Sequence, residues 1–371
     1  MIYLDNAATG GFKPASVQNA VIASMKACAN PGRSGHKLSL ACAERILACR
    51  NALSDFFGGY GYERVIFTKN CTEALNIAIL GTLNEGDHVV TTCLEHNSVL
   101  RPLHALQSAG KISVSVAPLH EGKLRAEDIV SLVRNGTALA VVTSASNVTG
   151  ECPDIKRIRE LLPDRVRLVV DGAQGGGHLT LSLRDMGIDA LALAGHKGLH
   201  AVQGAGALLF SDRISPRPVL FGGTGSESFN PDMPDFYPDR LESGTLSYPA
   251  IASLFEGVLF AKTHLAKSAE TLFALTSYCS EALRKMPRYK AYFAPNRCGI
   301  ASFAHESIPS EELAGILSER FDIAVRGGLH CAPLIHRALG TFPDGLVRAS
   351  FSPFQSRREA DALLSALRKI G

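Results

Sequence analysis

The chain has 371 residues, of which 46% are hydrophobic and 20% are charged, and its formal net charge is +3. A chain of this length and composition can bury a large core and is expected to form two or three domains. Its 38 basic and 35 acidic residues are mixed along the sequence. This mixing excludes a nucleic-acid-binding stripe or a basic membrane-binding face, so we expect a small-molecule ligand.

The N-terminus and the cysteines indicate a cytoplasmic protein. The first residues, MIYLDNAATG, contain neither a basic n-region nor an apolar h-region. No uncharged apolar stretch approaches the roughly 18 residues of a membrane span. The nine cysteines are scattered and form no CxxC pair, which argues against a disulfide framework or a structural zinc site. We therefore expect neither a metal nor a membrane partner.

Short apolar runs alternate with longer segments of helical periodicity from about residue 65 onward, which is the pattern of βαβ units. The apolar runs predict seven strands, at residues 65–68, 88–92, 112–117, 138–143, 166–171, 190–194 and 205–210. The helical segments between them lie at residues 72–83, 98–108, 126–134 and 155–162. The sequence therefore predicts an α/β fold with one large, mainly parallel, seven-stranded sheet.

The pattern breaks in a loop rich in Gly, Pro and Asp at residues 222–240, and a long helical pattern then starts at Tyr248. A second α/β region follows, with a strand near residues 323–326 and a last helix that opens with the capping box Ser356-x-x-Glu359. We predict a large domain at residues 15–255. A smaller C-terminal domain at residues 256–371 would be joined by an N-terminal arm at residues 1–14.

Ligands of such sheets bind beyond the carboxyl ends of the strands, and several predicted strands end in unusual residues. KNCTEA (69–74) opens a helix whose free amides could hold a phosphate, although Thr72 could equally be an ordinary N-cap. Asp171 closes a strand in VVDGAQG (169–175) and needs a cation or a protonated ring nitrogen as its partner. A turn cap or a metal ligand is the alternative, and Gln174 adds an amide donor nearby.

Lys197 ends the next strand, in DALALAGHKGL (189–199). A desolvated lysine provides the neutral amine that forms Schiff bases, whereas a solvated charge is the common alternative. His196 beside it could donate to a phosphate or bind a carbonyl in the core. A lysine, a carboxylate and a phosphate cradle at one sheet edge are what pyridoxal 5'-phosphate (PLP) requires.

Cys331 lies in the second region, on a glycine-containing turn that also carries Arg326 and His330. These two basic residues favour a thiolate at Cys331, whereas an inert buried thiol is the alternative.

Nine motifs occur in order along the chain: YLDNAATG (3–10), NPGRSGH (30–36), LEHNS (94–98), SNVTG (146–150), VDGAQ (170–174), GHKG (195–198), ESGT (242–245), VRGGLHCAP (325–333) and VRASF (347–351). On these motifs the sequence closely resembles the class V branch of fold-type I PLP-dependent transferases, specifically the cysteine desulfurase and selenocysteine lyase group. The similarity runs along essentially the whole chain. It implies PLP as the cofactor and conversion of L-cysteine to L-alanine with a persulfide on the enzyme.

The resemblance assigns roles at the matching positions. Lys197 would form the Schiff base, Asp171 would pair with the pyridinium nitrogen and Gln174 would donate to the phenolic oxygen of PLP. His96 would stack on the ring and pass protons, a role that we favour here over a helix cap. The remaining roles are phosphate contacts from Cys71, Thr72 and His196, a phosphate contact from Thr245 of a second subunit, substrate-carboxylate contacts from Asn147 and Arg348, and sulfur acceptance by Cys331.

The family pattern also leaves alternatives. Ala194 stands where many relatives have Ser, and residues 198–203 replace a common Tyr-Gly-Pro stretch. The alternatives to a cysteine desulfurase are a selenocysteine lyase, a class V aminotransferase, a C–S lyase for a larger cysteine derivative, and a PLP-binding scaffold that delivers sulfur without turnover. The resemblance implies a homodimer and allows for a sulfur-acceptor protein. Because the segment around Cys331 is compact, we expect slow turnover until an acceptor engages it.

Overall fold

The computed structural model describes residues 1–31, 34–120 and 122–371, so Gly32 and Arg33 of the NPGRSGH motif lie outside the described residues. Its strands are β1 (Ile2–Tyr3), β2 (Val65–Thr68), β3 (His88–Thr92), β4 (Ser113–Ala117), β5 (Thr137–Thr143), β6 (Arg167–Asp171), β7 (Ala190–Ala194), β8 (Gly206–Phe210), β9 (Tyr289–Ala291), β10 (Ile300–His305), β11 (Ile323–Ala324) and β12 (Val347–Ser350). Its helices are α1 (Ala15–Lys26), α2 (Lys37–Phe56), α3 (Cys71–Leu80), α4 (Asn97–Ser108), α5 (Ala126–Ser131), α6 (Ile155–Leu161), α7 (Leu183–Met186), α8 (Tyr248–Leu283), α9 (Ser310–Phe321), α10 (Pro333–Leu339) and α11 (Arg357–Ile370).

The predicted large sheet is confirmed, with seven strands in the order β2-β8-β7-β6-β5-β3-β4. The pairs from β7 through β6, β5 and β3 to β4 are parallel. Strand β8 is antiparallel to both of its neighbours, β2 and β7. Strand β2 therefore runs in the same direction as β7, and only β8 is reversed. The carboxyl ends of the other six strands consequently lie at one edge of the sheet.

The sheet is apolar on both faces because small and branched residues alternate along its strands. In β7, Leu191 and Leu193 pack into the core on one face, whereas Ala190, Ala192 and Ala194 pack into the core on the other. Parallel strands covered by helices on both faces show this composition. In β6 the buried charged residue, Asp171, is the last residue of the strand, where the loop begins.

A second, three-stranded antiparallel sheet has the order β12-β10-β9 and shares an apolar core with α8, α9 and α11. The N-terminal β1 pairs in parallel with β11 of this region. The predicted domain boundary between residues 255 and 256 falls inside α8, which packs against α1 and α2 as well as against α11. The division at that point stays a prediction.

Two predicted details differ from the structure: the strand predicted near residues 323–326 is only Ile323–Ala324, and the N-cap of α3 is another residue. Helix α3 starts at Cys71, and its N-cap is Asn70 rather than Thr72, because the Asn70 side chain accepts a hydrogen bond from the Glu73 amide at 2.9 Å. The capping box of the last helix, Ser356 with Glu359, is present as predicted. In the part of the chain that the structure describes, no helix is long and apolar enough to cross a membrane.

A buried ion pair attaches α2 to the edge of the large sheet. Arg50 donates to both carboxylate oxygens of Glu242, at 2.8 and 2.6 Å, and each side chain is 7% exposed. Glu242 also accepts a hydrogen bond from the Phe67 amide of β2 at 2.6 Å. Glu242 of the ESGT motif thereby joins α2, β2 and the loop that carries Thr245.

We expect Glu242→Ala to lower the free energy of unfolding by about 3–5 kcal/mol, because it leaves the Arg50 guanidinium buried and unpaired. Urea denaturation followed by circular dichroism measures the change. Glu160→Ala is the control, since it removes an exposed ion pair with Arg157 and should cost less than about 1 kcal/mol. Equal losses in the two variants would contradict this account of the ESGT motif.

Candidate active site

A cavity of about 220 Å³ lies beyond the carboxyl ends of β5, β6 and β7, whose last residues Thr143, Asp171 and Ala194 form part of its wall. Most of the predicted site residues line it together: Cys71, Thr72, His96, Asn147, Asp171, Gln174, His196, Lys197 and Arg348. Cys331 and Thr245 do not line this cavity and are exposed. The structure therefore brings most of the predicted residues to one place.

Asp171 is a buried carboxylate that faces the cavity from the end of β6. It is 3% exposed, and its Oδ1 accepts hydrogen bonds from the Ala173 amide at 2.8 Å and from Cys71 Sγ at 3.4 Å. Burial and the Asp171 charge raise the pKa of Cys71 well above its usual value, so Cys71 stays a thiol donor. Among the described residues no group of His, Cys, Asp or Glu is arranged to hold a metal ion.

Lys197 enters the cavity from the turn that follows β7. Burial lowers the pKa of its amine, while the charge of Asp171 opposes this shift. The turn is held by the Gly10 amide, which donates to the carbonyl of His196 at 2.8 Å. A Cβ atom at Gly198 would lie 2.5 Å from the Gly176 carbonyl oxygen, so the GHKG motif requires glycine there. Desolvation thus favours the neutral, nucleophilic amine.

His96 is both a helix cap and a wall of the cavity. Its Nδ1 accepts a hydrogen bond from the Ser98 amide at 3.1 Å, so the cap that we had disfavoured is present. Burial lowers the pKa of His96 to about 4, against the opposing charge of Asp171. The imidazole is therefore neutral above that pH, and the cap orients its ring.

The N-terminus of α3 forms one end of the cavity. Asn70, Cys71 and Thr72 line this end, and Thr72 Oγ1 lies 2.7 Å from Ser98 Oγ. His196 also faces the cavity, and its Nδ1 is buried without a hydrogen-bond partner. Burial and the Lys197 charge lower the pKa of His196 to about 4.

Ser98 is a site residue that the sequence analysis did not single out. Its hydroxyl contacts both Thr72 Oγ1 and, at 2.8 Å, His96 Nδ1. Its position in the LEHNS motif is the sequence feature that could have identified it. Ala194 lines the same cavity without a hydroxyl, whereas Ser98 and Thr72 bring hydroxyl groups to its wall.

Arg348 of β12 brings the C-terminal sheet to the wall of the cavity. It is 1% exposed, its Nη2 lies 2.8 Å from Asp5 Oδ1, and its Nη1 donates to the Asn147 carbonyl at 3.0 Å. Its Nε is buried without a partner. Asn147 Nδ2 in turn donates to the His330 carbonyl at 2.8 Å. Asp5 was missed by the sequence analysis, although it lies in the YLDNAATG motif.

Cys331 lies outside the cavity on a short turn that touches it. Arg326 lines the cavity, and its Nη2 lies 3.8 Å from Cys331 Sγ. His330 and Cys331 both have positive φ values, 51° and 57°, which non-glycine residues rarely adopt. The Asn97 amide holds the turn by donating to the Cys331 carbonyl at 2.7 Å.

These residues fit PLP. The start of α3 and the unpartnered Nδ1 of His196 suit an anionic phosphate, since free backbone amides at a helix N-terminus bind anions. The buried Asp171 suits a protonated ring nitrogen, and the amine of Lys197 suits an aldehyde. One cavity thus offers a separate partner for the phosphate, the ring nitrogen and the aldehyde of PLP.

A family model described as aminotransferase class-V matches residues 2–363 of the chain. The chain belongs to the aminotransferase class-V family. This family is PLP-dependent, so the predicted cofactor and the predicted fold-type I architecture are confirmed.

Relatives of this class-V chain match it over nearly its full length. A probable cysteine desulfurase of Methanothermobacter thermautotrophicus is 32% identical, over 100% of the chain and 94% of the relative. The cysteine desulfurase CsdA of Escherichia coli is 28% identical, over 99% and 93%. The apo structure of a cysteine desulfurase from Thermococcus onnurineus NA1 gives a TM-score of 0.90 at 28% identity, over 100% of this chain and 94% of that one.

We expect borohydride reduction of the PLP-loaded protein to fix the cofactor on Lys197, because this amine lines the cavity and burial favours its neutral form. Peptide mapping identifies the modified lysine. Lys197→Ala should abolish the covalent attachment. Lys13→Ala is the control, since burial also lowers the pKa of Lys13, to about 8, but it lines a different cavity. Attachment of the cofactor at another lysine in the unmodified sequence would refute the site.

Proposed function

We propose that the protein is a PLP-dependent cysteine desulfurase that converts L-cysteine to L-alanine and leaves the sulfur as a persulfide on Cys331. The observation that carries this proposal is the contact between Arg326, which lines the cavity, and the exposed thiol of Cys331. This contact connects a nucleophilic thiol with the cavity that contains Lys197. The relatives described above, which are cysteine desulfurases by name, support the same reaction.

Different residues of the cavity would bind different parts of the cofactor and of the substrate. When bound, PLP supplies an aldehyde for amine exchange and a ring that accepts electrons. Asp171 would hold the ring nitrogen, Gln174 the phenolic oxygen, and Cys71, Thr72 and His196 the phosphate. Asn147 and Arg348 would hold the substrate carboxylate, for which a guanidinium provides parallel donors. Arg348 is already oriented by Asp5, so it needs little reordering to bind an anion.

Proton transfer would fall to Lys197 and His96. Burial favours the neutral amine of Lys197, which can remove the proton from the substrate Cα. The neutral imidazole of His96 can pass protons near the ring, because its pKa is held near 4. His96 can therefore act as a base from the start, and Lys197 can do so once the substrate amine has exchanged with its amine.

Sulfur transfer would then use Cys331. Its Sγ, as thiolate, attacks the substrate sulfur, so that an S–S bond forms while the substrate Cβ–S bond breaks. The electron pair of the broken bond stays on carbon, and protonation there gives the methyl group of alanine. Cysteine and a thiol thus yield alanine and a persulfide, without an external oxidant. A small thiol or an acceptor protein must then remove the sulfur.

We also propose a homodimer with shared sites. Thr245 is exposed and outside the cavity of its own chain, which agrees with a contact to the phosphate bound by a neighbouring subunit. Leu38, Leu40 and Leu47 of α2 are exposed as well, and such apolar surface favours association. A cytoplasmic location and an acceptor protein complete the proposal.

The amino acids consumed and the products formed distinguish this function from its alternatives. The holoenzyme should release alanine and sulfide from L-cysteine in the presence of a reducing thiol. Faster release from selenocysteine, with negligible reaction of cysteine, would indicate a selenocysteine lyase. Formation of a 2-oxo acid would indicate an aminotransferase or a C–S lyase, and no product at all would indicate a scaffold.

Cys331→Ser should retain PLP but lose alanine formation from cysteine by on the order of 100-fold or more, since it removes the sulfur nucleophile. Alanine is quantified by amino-acid analysis, with cofactor absorbance as the check on binding. Cys28→Ser is the control, because Cys28 is also exposed but lies far along the chain from the VRGGLHCAP motif. If Cys331→Ser forms alanine at the unmodified rate, the proposed sulfur transfer is wrong.

Thr245→Ala should weaken PLP binding by roughly tenfold, as expected for the loss of one hydrogen bond to a charged group. Ser247→Ala, an exposed hydroxyl two residues away, is the control and should leave PLP affinity unchanged. Mixing inactive Lys197→Ala with Thr245→Ala subunits should restore one intact site per mixed dimer. Unchanged PLP affinity in Thr245→Ala, or a monomer at the assay concentration, would rule out the shared site.

A further inference from the structure

Two cysteines that the proposed reaction does not use, Cys152 and Cys298, form a hydrogen bond with each other outside the cavity of the active site. The thiols of Cys152 and Cys298 are within hydrogen-bonding distance, although 145 residues separate them in the sequence. Cys152 is exposed and follows the SNVTG motif, which carries Asn147. Cys298 is buried in the loop before β10. The pair therefore lies where the loop after β5 meets the C-terminal sheet.

The backbone of the loop after β5 packs tightly against a side chain of the loop before β10. A Cβ atom built on Gly150 would lie 2.5 Å from the side-chain amide of Asn296. Asn296 Oδ1 accepts hydrogen bonds from the amides of Cys298 at 3.2 Å and Ile300 at 3.1 Å. Gly150 and Asn296 are in close contact, and Cys152 and Cys298 follow them by two residues each. The proximity of the thiols is built into the packing.

The two thiols differ in accessibility and in pKa, as the two thiols of a redox pair do. Cys152 and Arg297 line the same cavity, of about 600 Å³, so Cys152 can be reached by small molecules. The hydrogen bond from Cys298 lowers the pKa of the Cys152 thiol. The same contact, together with burial, raises the pKa of Cys298 well above its usual value. Cys152 is therefore suited to react first, and Cys298 is placed to resolve the product.

We propose that Cys152 and Cys298 form a reversible redox site in which a peroxide oxidises Cys152 and Cys298 then closes a disulfide. In the first step the Cys152 thiolate attacks the O–O bond, giving a sulfenic acid and hydroxide. In the second step Cys298 sulfur attacks the oxidised sulfur, an S–S bond forms, the S–O bond breaks, and the departing hydroxide takes the Cys298 proton as water. Two thiols are oxidised and one peroxide is reduced to two waters. A dithiol reductant reverses the change.

The disulfide would join two segments that together shape the substrate end of the cavity. Ser302 of β10 donates to the Val148 carbonyl at 2.5 Å, and Ser302 pairs with Arg348 of β12. Arg348 also donates to the Asn147 carbonyl. A covalent link between Cys152 and Cys298 therefore restrains the contact between the loop after β5 and the C-terminal sheet. This contact positions Asn147 and Arg348. The restraint should slow hydrogen exchange in residues 146–150 and 296–300.

The test uses the holoenzyme treated with a small molar excess of hydrogen peroxide, then alkylated and digested without reductant. We expect a cross-linked peptide containing Cys152 and Cys298, which disappears after dithiothreitol treatment. Cys28→Ser should form the same cross-link, because it changes an exposed cysteine outside the pair. Cys152→Ser should leave Cys298 reduced. Hydrogen exchange at the two segments should slow in the oxidised protein and recover on reduction.

The peptide map of the unmodified sequence tests the proposal even if a variant fails to fold. Oxidation of Cys152 to a sulfinic or sulfonic acid without a cross-link would overturn it, as would a cross-link from either cysteine to Cys331. An unreactive Cys152 under conditions that oxidise Cys28 would also overturn it. None of these readouts depends on the proposed desulfurase reaction, so the two proposals fail separately.

Discussion

The desolvation of Lys197 beside the buried carboxylate of Asp171 is the constraint on which the site depends. An isolated charge in this position would be costly, and each group reduces the cost of burying the other. Burial nevertheless lowers the pKa of the lysine, so the amine is available as a nucleophile. The large sheet creates this situation, because the residues of β6 and β7 that precede this edge are almost all buried and apolar. Asp171 and Lys197 follow from neighbouring strands, β6 and β7, and therefore face one cavity.

The other half of the site depends on contacts between distant segments. Asp5 from the N-terminal arm and the Asn147 carbonyl from the loop after β5 both accept hydrogen bonds from Arg348 of the C-terminal sheet. This buried network orients the guanidinium before any ligand binds. The turn with Cys331 is tied into the same network, because Arg326 and Arg348 exchange backbone hydrogen bonds at 3.1 and 2.8 Å. The substrate end of the cavity and the thiol are thus held by one set of bonds.

The sequence was most informative where a periodic apolar pattern is followed by a buried polar residue. Strand β6 ends its apolar run in Asp171, and Lys197 follows the apolar strand β7 by three residues, so both the strands and the site residues were predictable. Asp5 and Ser98 lay in recognised motifs, but their roles depend on partners that no local pattern specifies. His96 shows a different limit. A helix cap was treated as the alternative to a role at the cofactor ring, yet the side chain caps α4 and also lines the cavity. The contact of Cys152 with Cys298 arises only when the chain folds.

The destination of the substrate sulfur decides whether the proposed reaction is correct. The most direct measurement is a single turnover of the holoenzyme with sulfur-labelled cysteine, without reductant or acceptor, followed by quantification of alanine and mapping of the label. The account predicts one alanine per active site and one labelled sulfur on the peptide that contains Cys331. Alanine without protein-bound sulfur, pyruvate in place of alanine, or label on a peptide that lacks Cys331 would contradict it.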